Sequence, residues 1–475
     1  MSIAEVISGT RTWHVEQGDA LAILKAMPAA CVDVCITSPG YYRLRSYLPP
    51  GHPDKHLEHG GEETLAEYIQ RLVAVFAEVR RVLKDTATLW VNIGDSYSGS
   101  GKGGGGSYEL DGMTHAQGTL TPTDIPDGNL LGVPWHLAFA MQDDGWILRS
   151  EIALCKVSPM PESVSCWRWV RCRVKTSSDS GHRDVKVKEN GNHRAVASFK
   201  DERTESGRTL SAEGNPTWVD CPGCIKCEKN GGYVLRKGKW RPTRAHESLF
   251  LFAKSASYFC DGEAVKTPAK SATVNRDQYS RILDDADEQF AVRHDHETVC
   301  SGANLRDWVL WKNENLKEKH YAAFPSFLPT LAIKAGTSEH GNCGKCGMPW
   351  TRVVEKIRYR HPNGLGNGTE TKDLQTHRRG ETSCMMTGES ETCKTIAWRH
   401  SCSCQDAGEP VPPIVLDCFS GSGTSVLAAL RLGHRAIGID LSQEYVDMAR
   451  RRIATESLTK DDTLPGEKLP LFAGL

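Results

Sequence analysis

The sequence lacks an excess of charge of either sign: 58 Lys and Arg stand against 59 Asp and Glu over 475 residues, a net charge of −1. The whole chain therefore announces no polyanion partner, and only a local surplus could reveal one. It also lacks any run of about 18 apolar residues. Its first twenty residues interleave Glu5, Arg11, His14, Glu16 and Asp19 with apolar ones, so neither a spanning helix nor a secretory leader is expected. The expectation is a soluble, intracellular protein with no membrane partner. Its 17 cysteines do not suggest a disulfide scaffold, because such scaffolds are short, and several of these cysteines fall in CxxC and CxC spacings that suit a metal. The length leaves room for two or three domains.

The charge is unevenly spread. Between Val157 and His246 there are 18 Lys or Arg against 10 Asp or Glu, a basic segment inside an otherwise acidic chain. Before it, Val32 to Ile36 reads as a buried strand ending at Ser38-Pro39-Gly40. Glu62 to Leu83 carries apolar residues at intervals of three and four and reads as an amphipathic helix, and Ala87 to Ile93 reads as the next strand. Pro134 to Met141 is an expected helix, and Trp146 to Leu154 and Glu247 to Ala253 are expected strands. Such alternation implies parallel pairing through right-handed crossovers, hence a three-layer α/β domain. The glycines between Ser98 and Ser107 suggest a mobile loop.

The strongest chemical signal is near the end. Ile414 to Leu416 is a strand, Asp417-Cys418-Phe419-Ser420-Gly421-Ser422-Gly423-Thr424 is a glycine turn into a helix, and Arg435 to Ile439 is a strand ending at Asp440. This is a nucleotide-type βαβ unit, in which glycines let the backbone approach a ligand and the later acid holds ribose hydroxyls. Val426 replaces the third glycine of the dinucleotide fingerprint, which argues against a dinucleotide. The second signal is Thr37-Ser38-Pro39-Gly40-Tyr41-Tyr42, at the end of the early strand.

These two motifs resemble the (Ser/Asn/Asp)-Pro-Pro-aromatic and FxGSGT motifs of DNA methyltransferases that methylate exocyclic amino groups. The catalytic motif comes first and the cofactor motif last, as in the circularly permuted β group. The likeness extends over Gly18-Asp19, Asn92 to Tyr97, Leu131 to Trp135, Met160 to Ser163, Ala245 to Glu247, and His320 to Pro325. It implies a Rossmann-like methyltransferase domain with inserted target-recognition segments, S-adenosylmethionine as cofactor, double-stranded DNA as partner, and a bacterial or phage cytoplasmic setting. By the same resemblance, Ser38 and the Pro39 carbonyl would accept hydrogen bonds from the target amino group while Tyr41 stacks on the flipped base. Asp440 would hold the ribose and Asp19 the adenine. Asp417, Phe419, Gly421, Ser422, Gly423 and Thr424 would surround the methionine portion, with Phe324 against the cofactor. Asp19 is equally a helix cap before Ala20. Serine at position 38 leans the comparison toward cytosine N4, with adenine N6 the alternative. The motif's second proline is Gly40 here, expected to loosen the loop that aims the Pro39 carbonyl. That departure keeps open a different class, a zinc-containing DNA-binding protein with impaired catalysis.

Two cysteine sets are candidate metal ligands: Cys221, Cys224 and Cys227 with Cys172 or Cys166, and Cys343, Cys346, Cys402 and Cys404 in a zinc-ribbon pattern. Loop thiols are the alternative for both. The basic insert interleaves Trp167, Trp169, Trp218, Tyr233 and Trp240 with its cations, as suits phosphate and base contact. The expected organisation is a catalytic half at 1–156, a basic recognition insert at 157–246, a return to the methyltransferase domain at 247–335, a zinc-ribbon insert at 336–410 and a cofactor half at 411–475.

Overall fold

The computed structural model describes residues 2–44, 46–49, 51–99, 108–110, 113–115, 125–159, 166–176, 217–266, 304–311, 325–360 and 389–456. The chain divides into two compact units, residues 1–158 with 246–475, and residues 159–245. Among the described residues no helix is long and apolar enough to cross a membrane.

The first unit is built on an eight-stranded sheet. In chain order its strands are β1 (Trp13–Gln17), β2 (Val32–Thr37), β3 (Leu83–Ile93), β4 (Ile147–Lys156), β5 (His246–Ala253), β6 (Trp308–Trp311), β7 (Ile414–Asp417) and β8 (Arg435–Asp440). They lie in the spatial order β1-β8-β7-β2-β3-β5-β4-β6. All run in one direction except β5, which is antiparallel to both β3 and β4. The all-parallel expectation therefore fails at one strand. ESLFLFA reads as a strand from its composition, but direction is set by how the chain returns, and a return across the insert does not impose a helical crossover.

Helices cover both faces. One carries α1 (Ile3–Ser8), α2 (Ala20–Ala26), α3 (Leu65–Val82) and α4 (Val133–Asp143); the other carries α5 (Phe327–Gly336), α6 (Thr424–Arg431) and α7 (Gln443–Glu456). Side chains of β2 feed both cores: Val34 and Ile36 join the second and Cys35 the first, while Val32, beyond a register shift against β3, also joins the first. The α3 helix begins three residues later than the periodicity suggests. Thr64 accepts the Glu67 amide at 3.1 Å and caps it, while Glu62 is drawn off to Arg71 at 2.6 Å.

Chain order and sheet order together place the candidate motifs. From β7 the chain goes through α6 to β8 on one side, and from β2 through α3 to β3 on the other, with the helices on opposite faces. The gap between the carboxyl ends of β7 and β2 is thus a topological switch point, where ligands bind open α/β sheets.

Candidate active site

Both motifs meet at that point. Thr37, the last residue of β2, donates from Oγ1 to Asp417 Oδ1 at 2.6 Å, although 380 residues separate them. The same oxygen accepts the Phe419 amide at 3.1 Å, and Ser425 donates its hydroxyl to the other. Burial pushes the Asp417 carboxyl above its ordinary value, opposed by the Ser425 and Thr37 hydroxyls. With 3% exposure and both oxygens engaged, Asp417 ties the two motifs together. Ser422 and Thr424 are also held within the protein. Arg452 of α7 donates from Nη1 to the Ser422 carbonyl at 2.8 Å, its hydroxyl at 2.9 Å and Thr424 Oγ1 at 3.3 Å, so these side chains face inward.

The glycines have steric reasons. Gly423 sits at φ +76°, and a Cβ on it would lie 2.8 Å from the Ala449 Cβ, so the turn and α7 pack closer than any other residue allows. Asp440 closes the turn from β8: its Oδ2 accepts the Gly421 amide at 2.8 Å and its Oδ1 the Ser442 amide at 2.9 Å. Burial raises its carboxyl to about 6 despite these two amides. Asp19 follows the neighbouring strand β1, where Gln17 pairs with Asp440 and Gly18 donates to the Asp440 carbonyl at 3.0 Å. It caps α2 by accepting the Ala22 amide at 2.9 Å. Phe324 lies outside the described residues, as do Met160 to Ser163 and most of the glycine loop.

The Ser38-Pro39-Gly40-Tyr41 turn is held from outside. Tyr68 of α3 donates its hydroxyl to the Gly40 carbonyl at 2.8 Å, and Arg43 donates its amide to the Gly60 carbonyl at 2.7 Å. A Cβ on Gly40 would stand 2.7 Å from the His59 carbonyl oxygen. Glycine at position 40 thus lets the 58–62 segment come close against the loop where the motif's second proline would stand. His59 itself packs edge-on against Phe419, with ring centroids 5.3 Å apart. Burial, with the Arg71 cation nearby, pushes it down to about 4, so it is neutral at physiological pH, and its Nδ1 is buried without a hydrogen-bond partner.

Tyr41 is fixed by groups from three strands. It donates its phenol to Glu247 Oε2 at 2.8 Å and accepts from Asn92 Nδ2 at 3.1 Å, while Lys156 holds the other Glu247 oxygen at 2.5 Å. The ring edge fills the space over Gly94, where a Cβ would come within 2.5 Å of it. Sequence reasoning gave Asn92 and Glu247 no roles, although both fall in stretches that resemble the family. For His59, Tyr68 and Arg452 no motif signal exists.

The second unit pairs Arg168–Arg171 with Tyr233–Arg236 and Arg173–Thr176 with Thr217–Asp220, both antiparallel. Trp167, Trp169, Tyr233 and Trp240 are exposed, Lys237 lies over the Trp167 ring at 4.9 Å, and an open recess of about 450 Å³ is lined by Trp169, Asn230 and Tyr233. Its upstream cysteine ambiguity resolves: Cys172 gathers with Cys221, Cys224 and Cys227, whereas Cys166 is exposed and apart from them. In the first unit Cys343, Cys346, Cys402 and Cys404 gather likewise.

The family model described as DNA methylase, of the N6/N4 type, matches residues 32–344 and 409–451. The Type II methyltransferase M.XycI of Xanthomonas campestris pv. cyanopsidis is 33% identical over 255 residues, which is 53% of this chain and 58% of that protein. M.Cfr9I of Citrobacter freundii is 42% identical over 153 residues, 31% of this chain and 48% of that protein. The chain thus spans about half the length of these two relatives. M.SfiI of Streptomyces fimbriatus is 35% identical over 448 residues, 90% of this chain and 88% of that protein.

Proposed function

The chain belongs to the N6/N4 DNA methylase family, and from that premise we propose that it methylates an exocyclic amino nitrogen of a base in duplex DNA, cytosine N4 ahead of adenine N6, with S-adenosylmethionine as donor. The observation that carries the reading is the hydrogen bond from Thr37 to Asp417, which fastens the Ser38-Pro39 turn to the glycine turn across the switch point.

The residues fit the donor. Asp440 spends one lone pair of each oxygen on backbone amides and keeps acceptor capacity for ribose hydroxyls, Asp19 stands one strand away, and the Gly421–Gly423 turn offers backbone close to the ligand. Bound there, S-adenosylmethionine supplies an activated methyl group. An amino nitrogen on a base is a weak nucleophile because its lone pair is shared with the ring, so the protein's task is to accept its protons and aim it. Ser38 Oγ and the Pro39 carbonyl are the acceptors. Tyr41, locked by Glu247 and Asn92, offers its ring to the flipped base and cannot rotate away from it. His59, neutral and beside Phe419, lines the same edge without adding a positive charge that would repel the cationic donor. The preference for cytosine N4 rests on serine at position 38.

The test is expression in a host without DNA modification, followed by sequencing that separates N4-methylcytosine from N6-methyladenine. N4-methylcytosine at one sequence is expected. N6-methyladenine would move the assignment within the family, and unmodified DNA from a protein that still binds S-adenosylmethionine would favour a DNA-binding protein with impaired catalysis.

A further inference from the structure

Among its described residues the second unit buries few apolar side chains. Its buried cluster consists of Cys172, Cys224 and Cys227, with Cys221 and Val234 packed against them, while Trp167, Trp169, Ile225, Tyr233, Leu235 and Trp240 stay exposed. Apolar burial this small among these residues favours a crosslink as what holds them together. The chain brings four thiols to one point for that purpose. Cys172 sits between the strands Arg168–Arg171 and Arg173–Thr176, Cys221 follows the strand Thr217–Asp220, and Cys224 and Cys227 bracket the first turn of the helix Ile225–Glu228. The Cys221 amide donates to the Cys172 carbonyl at 2.8 Å and the Gly232 amide to the Cys227 carbonyl at 2.9 Å, which hold the loops in place around the sulfurs.

The four Sγ atoms lie within 4.8 Å of one another, with Cys172 to Cys224 at 4.0 Å and Cys224 to Cys227 at 3.5 Å. Tetrahedral zinc with Zn–S bonds of about 2.3 Å requires sulfurs about 3.8 Å apart, whereas a disulfide requires about 2.05 Å. Cys343, Cys346, Cys402 and Cys404 meet the same condition at the base of the hairpin Trp350–Arg360 and Glu389–His400. Three of those four fall in the stretch 345–408 that the family match skips. Their neighbour Asn342 donates from Nδ2 to Asp33 Oδ1 at 2.9 Å, and Asp33 also accepts the Ile414 amide at 2.8 Å. This second cluster is therefore fastened to the amino ends of β2 and β7, away from the carboxyl edge where the two motifs lie.

We propose that each cluster holds one structural zinc ion, and that the ion in the second unit is what folds that unit, so that zinc controls DNA binding without controlling S-adenosylmethionine binding. Each site has four protein ligands and no open position for water, which excludes a Lewis-acid role. Binding converts the thiols to thiolates and releases their protons to solvent, with no change of oxidation state. The part concerning DNA rests on the function proposed above; the metal count does not.

Full-length protein purified without chelator should contain two zinc ions per chain by elemental analysis, and cobalt substitution should give the thiolate charge-transfer and tetrahedral d–d absorption of two sites. Cys224→Ser should remove one ion, lower affinity for sheared unmodified genomic DNA at least tenfold, and leave calorimetric S-adenosylmethionine affinity within twofold. Cys224→His, which keeps a ligand, should restore the ion and most of the DNA affinity, and this separates loss of metal from a general failure to fold. Metal-free protein that binds DNA as the native protein does would overturn the proposal, as would a Cys224→Ser variant that retains two ions. Loss of S-adenosylmethionine binding together with the second unit's ion would overturn the claim of separate control, and intact binding of both ligands without methyl transfer would count against the proposed function alone.

Discussion

The two units bury different things. In the first, Tyr68, Phe76, Leu89, Phe250, Phe252 and Phe327 are among the side chains that fill cores on both faces of an eight-stranded sheet. Among the described residues of the second, the buried cluster is three cysteines, with Val174 also buried, and Trp167, Trp169, Tyr233 and Trp240 are exposed. A sheet with two apolar faces holds catalytic groups to fractions of an ångström because every strand end is fixed by packing. A small crosslinked module instead spends its aromatics and cations on its surface, where they can meet phosphates and bases. On the proposed function and zinc assignment, chemistry and recognition would be divided between a unit folded by burial and a unit held by metal crosslinking.

The largest effect should come from attacking that contrast directly. Phe76→Ala removes a fully buried ring from α3 and should cost the first unit about 3–5 kcal/mol in chemical denaturation. Val234→Ala in the second unit should cost roughly 1 kcal/mol or less, because the half-buried valine packs against a small cluster of cysteines. Equal losses would mean that the second unit has an apolar core after all.

Next in size is Asp440→Ala, which should weaken S-adenosylmethionine binding by about 1–3 kcal/mol in calorimetry while leaving DNA affinity in place. The carboxyl titrates at about 6 in the folded protein, so the wild type should lose cofactor affinity as pH falls through 6, when a proton occupies the acceptor. Asp440→Asn should bind weakly with no such dependence. A pH-independent wild type would remove Asp440 from the cofactor site.

Gly40→Ala should act on the other motif. Its new methyl would meet the His59 carbonyl, so the turn must shift, and kcat should fall about tenfold, equivalent to about 1.4 kcal/mol, with cofactor affinity unchanged. Full activity would show that the 58–62 segment does not brace the turn. The smallest effect per residue belongs to the recognition surface: neutralising exposed Arg236, Lys237 and Lys239 should flatten the salt dependence of DNA binding by up to about 0.9 in log–log slope for each phosphate that no longer meets a cation. An unchanged slope would leave that surface without a phosphate role.

The sequence made some of this legible and hid the rest for physical reasons. The β7–α6–β8 unit could be read residue by residue, since local glycines, apolar periodicity and a terminal acid suffice to define it. The direction of β5 could not, because strand direction depends on a return path that local patterning does not encode. Spacing alone could not choose between Cys166 and Cys172, since either can reach the other three in an unfolded chain, and the register of two short hairpins decides it. The braces were equally hidden: Tyr68 reads as one more apolar position of α3, Arg452 as an ordinary helix cation, and His59 sits in a segment with no periodicity, yet each fixes or lines the edge where the motifs meet. Asp417 stands in the cofactor motif, and only its three-dimensional pairing with Thr37 shows that it also ties the two motifs together.

The most direct test of the account is methyl transfer itself. Purified protein with methyl-labelled S-adenosylmethionine and unmodified duplex DNA, followed by digestion to nucleosides, should yield labelled N4-methylcytosine, and Ser38→Ala should abolish the label while binding the cofactor as tightly as the wild type. Label in no nucleoside, or undiminished label from Ser38→Ala, would contradict the assignment of the Ser38-Pro39 turn as the place where the amino group is held.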